Sequence, residues 1–297
     1  MSTELAVITP AFLDLTFVGL EALPGPGQER YAGDLLRSPG GGAITAVAAA
    51  RLGLETALVA PLGTDMAGEF VREEVEAEGV TLSGFRPDRT PQTVVMPVGG
   101  DRAMVTIDSG VRARGADLAA LSPAAAAAGL EQLPLIPDST RAYITCGDDD
   151  ARAVSGRVPD GLDSVRGLFL SGKDALVLTA RSTVDEAADR LAEAVGTVVL
   201  NLDVPDVLAF VDGRRVELPE LNFGPVVDPT GDRDLMCAAF AWAELRGADV
   251  EDAVRWAHVY SRLAMSVPTA TGGAANLERL LEAGDQLGLA RPSGVRA

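Results

Sequence analysis

The sequence Asp228-Pro-Thr-Gly-Asp-Arg-Asp234 leads directly into the apolar run Leu235-Met-Cys-Ala-Ala-Phe-Ala-Trp-Ala-Glu-Leu245. Pro229 and Gly231 favour a turn, and no helix breaker follows before Gly247. We therefore predict a loop and then a helix that ends near that glycine. A helix that is apolar nearly all round is typical of a large core. Its N-terminus would present free backbone N–H groups from a rigid interior, which suits an anion.

Two carboxylates, Asp232 and Asp234, lie close to this predicted helix end. A capping role explains one of them, because Asp is a favoured N-cap residue. The other interpretation is a phosphate-binding loop with a general base beside it. The residues alone leave both interpretations open.

Composition limits the classes of function. The chain has 297 residues, of which 47% are hydrophobic, and a formal net charge of −18. This acidity disfavours a nucleic-acid or membrane partner. A single histidine, His258, makes a histidine metal cluster or a Ser–His relay a poor expectation. The two cysteines, Cys146 and Cys237, lie in apolar surroundings, so we expect reduced thiols and a cytoplasmic location.

Short apolar runs alternate with helical patterns along the chain. Predicted strands cover residues 5–9, 56–60, 142–146, 174–179 and 197–202, and predicted helices cover 43–54, 68–79, 123–129 and 183–195. Predicted hairpins pair 93–98 with 103–107 and 207–211 with 214–218. The alternation predicts an α/β fold whose mostly parallel central sheet is covered on both faces. We expect one domain over residues 1–297, with a small β flap formed by roughly 14–39 and 90–110.

Two stretches of the chain resemble the signatures of the ribokinase-like, or PfkB, carbohydrate kinases. The family motif D-T-x-G-A-G-D is similar to Asp228–Asp234, and the N-terminal glycine-pair motif is similar to Pro39–Gly53, which continues into Ala60-Pro-Leu-Gly-Thr-Asp65. Asp14 falls where the family has a sugar-binding Asp, and Gly272-Gly-Ala274 falls near its late nucleotide loop. The resemblance covers most of the chain and implies a three-layer ribokinase-like fold in which the flap is a lid.

The resemblance also implies a role for each matched residue. Asp234 would be the general base, and the backbone N–H groups of Gly231, Asp232 and Arg233 would stabilise the transferring phosphoryl group. The remaining matched residues fall into three sets. Asp14, Gly40, Gly41 and Ile44 would border the acceptor substrate; His258, Gly272 and Gly273 would border ATP; and Asp228 would help to hold a monovalent cation such as K⁺. Mg²⁺ would arrive on the nucleotide phosphates, and the lid would close over the substrate and can pair two subunits.

The chain departs from the family pattern mainly around this site. Arg233 stands where the family has a glycine, so we expect crowding, and strain on the order of 1–2 kcal/mol if the position needs a positive φ. Arg233 could instead pair with Asp232 or reach the phosphate itself. Ile44 replaces an asparagine, and Phe12 replaces another polar residue.

Two nucleotide-site motifs of the family have no clear match in the sequence. The nearest stretch to the family's N-x-x-E segment is Thr179-Ala-Arg-Ser182, and Asn201-Leu-Asp203 lies where the family has T-x-G. Two interpretations follow from these departures. The protein is an ATP-dependent kinase of a small sugar or nucleoside that is less polar than ribose. Alternatively, it is a catalytically inactive homologue that binds a ligand or regulates a partner. A dinucleotide-binding oxidoreductase fits poorly, because Gly40-Gly-Gly42 lacks the G-x-G-x-x-G spacing.

Overall fold

A computed structural model describes residues 3–99, 101–202 and 206–295 of the chain. Its strands are β1 (Leu5–Ile8), β2 (Ala11–Val18), β3 (Asp34–Gly41), β4 (Thr56–Val59), β5 (Thr81–Ser83), β6 (Gln92–Val98), β7 (Asp101–Ile107), β8 (Ala125–Gly129), β9 (Arg141–Cys146), β10 (Val165–Ser171), β11 (Thr197–Asn201), β12 (Val207–Val211) and β13 (Arg214–Arg215). Its helices are α1 (Gly42–Arg51), α2 (Met66–Ala77), α3 (Gly115–Leu121), α4 (Asp148–Val154), α5 (Gly172–Thr179), α6 (Val184–Ala192), α7 (Asp232–Leu245), α8 (Val250–Ala264), α9 (Ala270–Gly273) and α10 (Leu277–Gln286).

The described strands form two sheets. The larger has nine strands in the order β13-β12-β11-β10-β9-β8-β1-β4-β5, all parallel to their neighbours except at β12 and β13. The smaller has four strands in the order β3-β2-β6-β7, in which β2 runs antiparallel to β3 and parallel to β6. The α/β prediction with a mostly parallel central sheet is confirmed. The small sheet overlaps the two ranges expected for the flap but extends beyond them, because β2 begins at Ala11 and β3 ends at Gly41.

Alternate residues of the central strands face two separate hydrophobic cores. In β1, Leu5 and Val7 join the core that contains α1, α7 and α8, whereas Ala6 and Ile8 join the core that contains α5 and α6. This pattern follows from the twofold period of side chains along a strand. Helices therefore cover both faces of the sheet, as three layers.

Helix α7 lies in the centre of the first core, as its composition predicts. Every residue from Leu235 to Ala243 is buried. Phe240 meets Tyr143 and Phe169 edge to face, with ring centroids 5.8 and 5.4 Å away. Burying one such ring stabilises the fold by roughly 1.5–3 kcal/mol. The N-terminus of α7 is consequently held by a rigid interior.

Two predicted elements are wrong. The run 123–129 is not a helix, because Ala125–Gly129 forms β8, which is completely buried between β1 and β9. Small side chains suit a strand packed on both faces, and this tertiary environment overrides the helix propensity of alanine. The run 174–179 is not a strand but the end of α5. Its buried residues, Asp174, Ala175, Leu178 and Thr179, recur at the spacing of one helix face, and Ser171 caps the helix.

Candidate active site

The candidate site lies at the N-terminus of α7, next to the carboxyl ends of β9, β10 and β11. Gly231 is the N-cap residue and has a φ of 76°. A side chain here would come within 2.6 Å of the Ala270 Cβ and 3.0 Å of Ile44, so only glycine fits. The first helical bond of α7 joins Leu235 N to Gly231 O at 2.9 Å. The N–H groups of residues 232–234 therefore have no acceptor in a preceding turn of helix and can bind an anion.

Asp234 is the residue expected to act as the general base, and its carboxylate has a raised pKa. Burial raises the pKa of Asp234 to about 6, although the charge of Arg233 and a hydrogen bond from Thr45 oppose this rise. The Thr45 Oγ1 donates to Asp234 Oδ1 at 3.4 Å. A carboxylate with this pKa is mostly ionised at neutral pH and still accepts a proton readily, as a general base must.

Asp14 approaches the same site from the small sheet. It lies on β2 with 7% of its surface exposed. Burial raises the pKa of Asp14 to about 7, and the negative charges of Asp234 and Asp228 contribute to the rise. The fold thus brings these three carboxylates together, although Asp14 is more than 200 residues from the other two.

Glycines of β3 leave the space that Asp14 occupies. A Cβ on Gly40 would overlap the carboxyl group of Asp14. Gly41 has a φ of 57°, and a Cβ there would overlap the Pro10 carbonyl and the Phe12 ring. Ile44, 2% exposed, packs against Gly231, so it joins α1 to the loop before α7 through an apolar contact. The residues that the sequence predicted for the acceptor substrate therefore lie around the loop that precedes α7.

The side chain of Asp232 turns away from Asp234 into the protein. Its carboxylate accepts hydrogen bonds from Asn201 Nδ2, at the end of β11, and from Ser261 Oγ, on α8. Burial raises the pKa of Asp232, and both hydrogen bonds oppose this rise. Asn201 thus has a partner in the position where the sequence lacks the family's T-x-G segment.

Arg233 makes an ion pair that the sequence did not predict. Its Nη1 donates to Asp174 Oδ2 at 2.6 Å and to the Cys146 carbonyl at 2.7 Å, and it does not pair with Asp232. Arg233 also lies within α7 and is not among the residues with positive φ. The expected backbone strain is therefore absent, because the glycine conformation is needed at Gly231 instead.

The ion pair identifies a site segment that sequence reasoning missed. Ser171-Gly172-Lys173-Asp174 joins the end of β10 to α5, with a polar residue at its first and fourth positions. Ser171 Oγ donates to Asp174 Oδ2 at 2.7 Å and accepts from Asp174 N at 3.0 Å. Segment 171–174 has polar residues at the N-x-x-E spacing, and its Asp174 contacts Arg233 of α7. The short apolar run Leu168-Phe-Leu170, followed by a capping serine, was the available signal.

Asp228 is buried and organises two loops. Its Oδ1 accepts from Thr230 N and its Oδ2 accepts from Thr269 N, both at 2.9 Å. Within the described parts of the chain, no group of three or more His, Cys, Asp or Glu residues could hold a metal ion.

The three residues expected to border the nucleotide divide into two groups. Gly272 and Gly273 line a cleft of about 650 Å³, together with Asn222, Phe223, Leu263, Ser266, Val267, Ala274, Ala275, Asn276, Arg279 and Gln286. His258 is not among the lining residues. It is buried on α8, and burial lowers the pKa of His258 to about 4, so its imidazole is neutral at physiological pH.

No helix among the described residues combines the length and the apolar character needed to cross a membrane.

Comparisons with known proteins agree with this architecture. The ribokinase of Bacillus subtilis (strain 168) is 27% identical over 291 residues, which cover 91% of this chain and 95% of that protein. The ribokinase of Thermotoga maritima superposes with a TM-score of 0.76 at 19% identity, covering 95% of this chain and 99% of that one. The ribokinase of Arabidopsis thaliana, solved in complex with ribose and ATP, superposes with a TM-score of 0.74 at 22% identity and the same coverage.

The family model for the pfkB family carbohydrate kinases matches residues 4–276. The resemblance of the two sequence signatures is thereby confirmed over nearly the whole chain, and the protein belongs to the pfkB family of carbohydrate kinases.

Proposed function

We propose that this protein transfers the γ-phosphoryl group of ATP to a hydroxyl group of a small sugar or nucleoside. The observation that carries the proposal is the meeting of Asp14 and Asp234 at the N-terminus of α7. A hydroxyl held by one carboxylate would lie beside a second carboxylate that can take its proton. The free N–H groups of the helix end would lie beside the phosphoryl group.

The acceptor site combines one strong polar contact with apolar walls. The Asp14 carboxylate would accept a hydrogen bond from a substrate hydroxyl. Ile44 and Phe12 would contact carbon atoms of the substrate, where a polar residue would bind a second hydroxyl. This environment favours an acceptor that is less polar than ribose, such as a deoxy sugar or a nucleoside.

The chemical step follows from these positions. Asp234 takes the proton of the acceptor hydroxyl as that oxygen forms a bond to the γ-phosphorus. The bond from the γ-phosphorus to the bridging oxygen breaks, and ADP leaves with that oxygen. The N–H groups of residues 232–234 stabilise the charge on the transferring group. Losing one such donor typically costs about 2.7–4 kcal/mol of transition-state stabilisation.

The nucleotide would extend from α7 towards the cleft lined by Gly272 and Gly273. The cleft volume of about 650 Å³ is in the usual range for small-molecule sites. Mg²⁺ would enter on the nucleotide phosphates, as it usually does at nucleotide sites. Asp228, which fixes the loops before α7 and α9, is the residue we assign to a K⁺ site.

The small sheet would act as a lid that excludes water from the phosphoryl group. Its outer strands expose several apolar side chains, namely Leu35, Met104, Val105 and Ile107. This exposure supports pairing of two subunits through the lid. Two buried free thiols, Cys146 and Cys237, support a reducing, cytoplasmic location.

Nucleotide binding and product formation test the proposal together. In potassium buffer with Mg²⁺, a non-hydrolysable ATP analogue at about a hundred times its Kd should add roughly 2.7 kcal/mol to the free energy of unfolding. ADP release with a panel of pentoses, deoxy sugars and nucleosides should then identify the acceptor. A folded protein that neither binds millimolar nucleotide nor releases ADP would contradict the kinase proposal and favour the non-catalytic alternative.

A further inference from the structure

The guanidinium of Arg233 crosses the carboxyl edge of the central sheet. Nη1 contacts the last residue of β9 through the Cys146 carbonyl, and it contacts the segment after β10 through Asp174. In parallel sheets this edge is where ligands bind. Arg233 is also the second residue of α7, so its guanidinium extends from the same helix end that offers free N–H groups.

The hydrogen bonds of Arg233 use only part of its capacity. A guanidinium has five N–H donors, and the two on Nη1 are taken by Asp174 and Cys146. The described part of the chain supplies no acceptor for Nε or Nη2. The side chain of Arg233 is 27% exposed, whereas that of Asp174 is 9% exposed. The ion pair with Asp174 joins α7 to α5 through Nη1 alone. The Nε and Nη2 donors are therefore not needed for this structural contact and can bind a ligand.

The charges around Arg233 also favour an anionic ligand. Asp232 and Asp234 flank it in sequence. Burial raises the pKa of both carboxyl groups, and the positive charge of Arg233 opposes this rise. Without this cation, the nucleotide phosphates would approach the negative charges of Asp174 and Asp234, and little positive charge would offset the repulsion. Arginine suits phosphate because its planar fork can donate two parallel hydrogen bonds.

We propose that Arg233 is a phosphate ligand of the nucleotide, donating from Nε and Nη2, while Asp174 and the Cys146 carbonyl hold the guanidinium in place. This inference rests on the proposed kinase function. The guanidinium adds a side-chain contact that a glycine at this position could not make, while the backbone N–H of residue 233 stays available. Asp174 is a positioning residue in this arrangement, since its Oδ2 is already bound by Arg233 and Ser171.

Binding measurements with matched ligands test the assignment. Dissociation constants of a non-hydrolysable ATP analogue and of adenosine would be measured by calorimetry for wild type, Arg233→Gly, Arg233→Lys and Asp174→Asn. Arg233→Gly should weaken the analogue by about tenfold or more and leave adenosine unchanged, because only the phosphate contact is lost. The affinity of Arg233→Lys for the analogue should lie between those of wild type and Arg233→Gly, because lysine keeps the positive charge but lacks the planar pair of donors.

Asp174 should act through Arg233 and not by itself. Asp174→Asn should weaken the analogue by about three- to tenfold, and adding it to Arg233→Gly should change the dissociation constant by less than about twofold. Arg152→Gly is the matched control, since it removes an exposed arginine that pairs with Asp148 and should leave both ligands unaffected.

The outcomes separate the two proposals. A wild-type protein that binds no ATP analogue overturns the kinase function and this inference with it. If wild type binds the analogue and Arg233→Gly binds it equally or more tightly, only the assignment of Arg233 is overturned. Equal losses for the analogue and adenosine would likewise contradict a phosphate contact and indicate a general distortion of the site.

Discussion

The two sides of the candidate site treat their carboxylates differently. On the acceptor side, Asp14 and Asp234 are crowded together, and their pKa values are raised to about 7 and about 6. On the nucleotide side, Asp174 is paired with Arg233, and Asp232 is bound by Asn201 and Ser261. The acceptor side thus keeps polar groups in an unfavourable environment, where they remain available to a substrate.

The contrast separates two kinds of carboxylate. Those of Asp14 and Asp234 have raised pKa values beside the proposed acceptor, whereas that of Asp174 is bound by an arginine of the same chain. Carboxyl groups whose pKa is raised by burial and by a neighbouring charge, as that of Asp14 is, cluster at functional sites. The nucleotide side replaces the usual glycine and motif residues by an internally paired network. The proposed function therefore assigns acceptor activation to the carboxylates of Asp14 and Asp234, and phosphate binding to the region of Arg233 and Asp174.

Removing the space for Asp14 should have the largest effect on the acceptor side. Gly40→Ala places a methyl group on the Asp14 carboxyl position, so this side chain must move. We expect kcat/KM to fall by about a hundredfold or more, because small displacements of positioning groups have effects of this size.

Gly115→Ala is the matched control for the Gly40 substitution. A Cβ at Gly115 would be 3.7 Å from its nearest neighbour, and its φ is not positive. The control should retain activity within about twofold, as expected for a substitution without a clash. A Gly40→Ala enzyme with normal kcat and KM would remove Asp14 from the site.

The pH dependence should report the acceptor-side carboxylates. Asp234 must be ionised to accept a proton, and its pKa is raised to about 6. Below that pH, kcat/KM should fall by about tenfold per pH unit, with a contribution from Asp14 because the two groups titrate in the same range. The measurement is a profile of kcat/KM from pH 5 to pH 9, and a flat profile down to pH 5 would exclude a base of this kind.

Asp14→Asn should stabilise the protein at high pH. A folded-state pKa raised to about 7 means that the folded protein binds this proton more tightly than the unfolded chain does. The resulting stability is present at pH 4 and below, and it is lost as the pH rises through 7. The variant should therefore gain on the order of 1–3 kcal/mol over wild type at pH 8 and show little gain at pH 4.

Thermal or urea unfolding at both pH values measures this gain. Asp138→Asn, on the exposed surface, is the control and should show no such difference. An Asp14→Asn variant that is less stable than wild type at pH 8 would show that the carboxylate has partners that compensate for its burial.

The nucleotide-side network should give the smallest effect on turnover. Ser261→Ala removes a donor from the Asp232 carboxylate, and Ser261 is completely buried. We expect a loss of about 1–3 kcal/mol in the free energy of unfolding and a change in kcat of less than about threefold. Ser164→Ala, which removes an exposed hydroxyl bond to Gly161, is the control. A hundredfold loss of kcat in Ser261→Ala would contradict the view that the hydrogen bonds of Asp232 support stability and not turnover.

The fold could be predicted wherever a local sequence pattern is compatible with only one type of secondary structure. The apolar run that begins at Leu235 predicted the buried helix, and the turn with Pro229 and Gly231 before it predicted the N-terminus. The run 123–129 has no such clarity, because a helix and a strand buried on both faces share an alanine-rich composition. Neighbouring strands decided its conformation, and they are not visible locally.

The partners of the site residues were harder to predict than their positions. Arg233 and Asp174 lie 59 residues apart, and nothing in either segment indicates that they pair. The sequence placed Asp232 and Asp234 at the start of the buried helix, as the structure does, but it did not indicate the direction in which each side chain points. Such contacts depend on the order of β9, β10 and β11 in the sheet, which only the three-dimensional arrangement provides.

The most direct test of the account is a comparison of Asp234→Asn with wild type in turnover and in binding. Asparagine keeps the shape of the side chain but cannot accept the hydroxyl proton. We predict that kcat falls by about 10²–10⁴-fold, while the dissociation constants for the acceptor and the ATP analogue change little. An Asp234→Asn enzyme that turns over within a few-fold of wild type would contradict the assignment of Asp234 as the base.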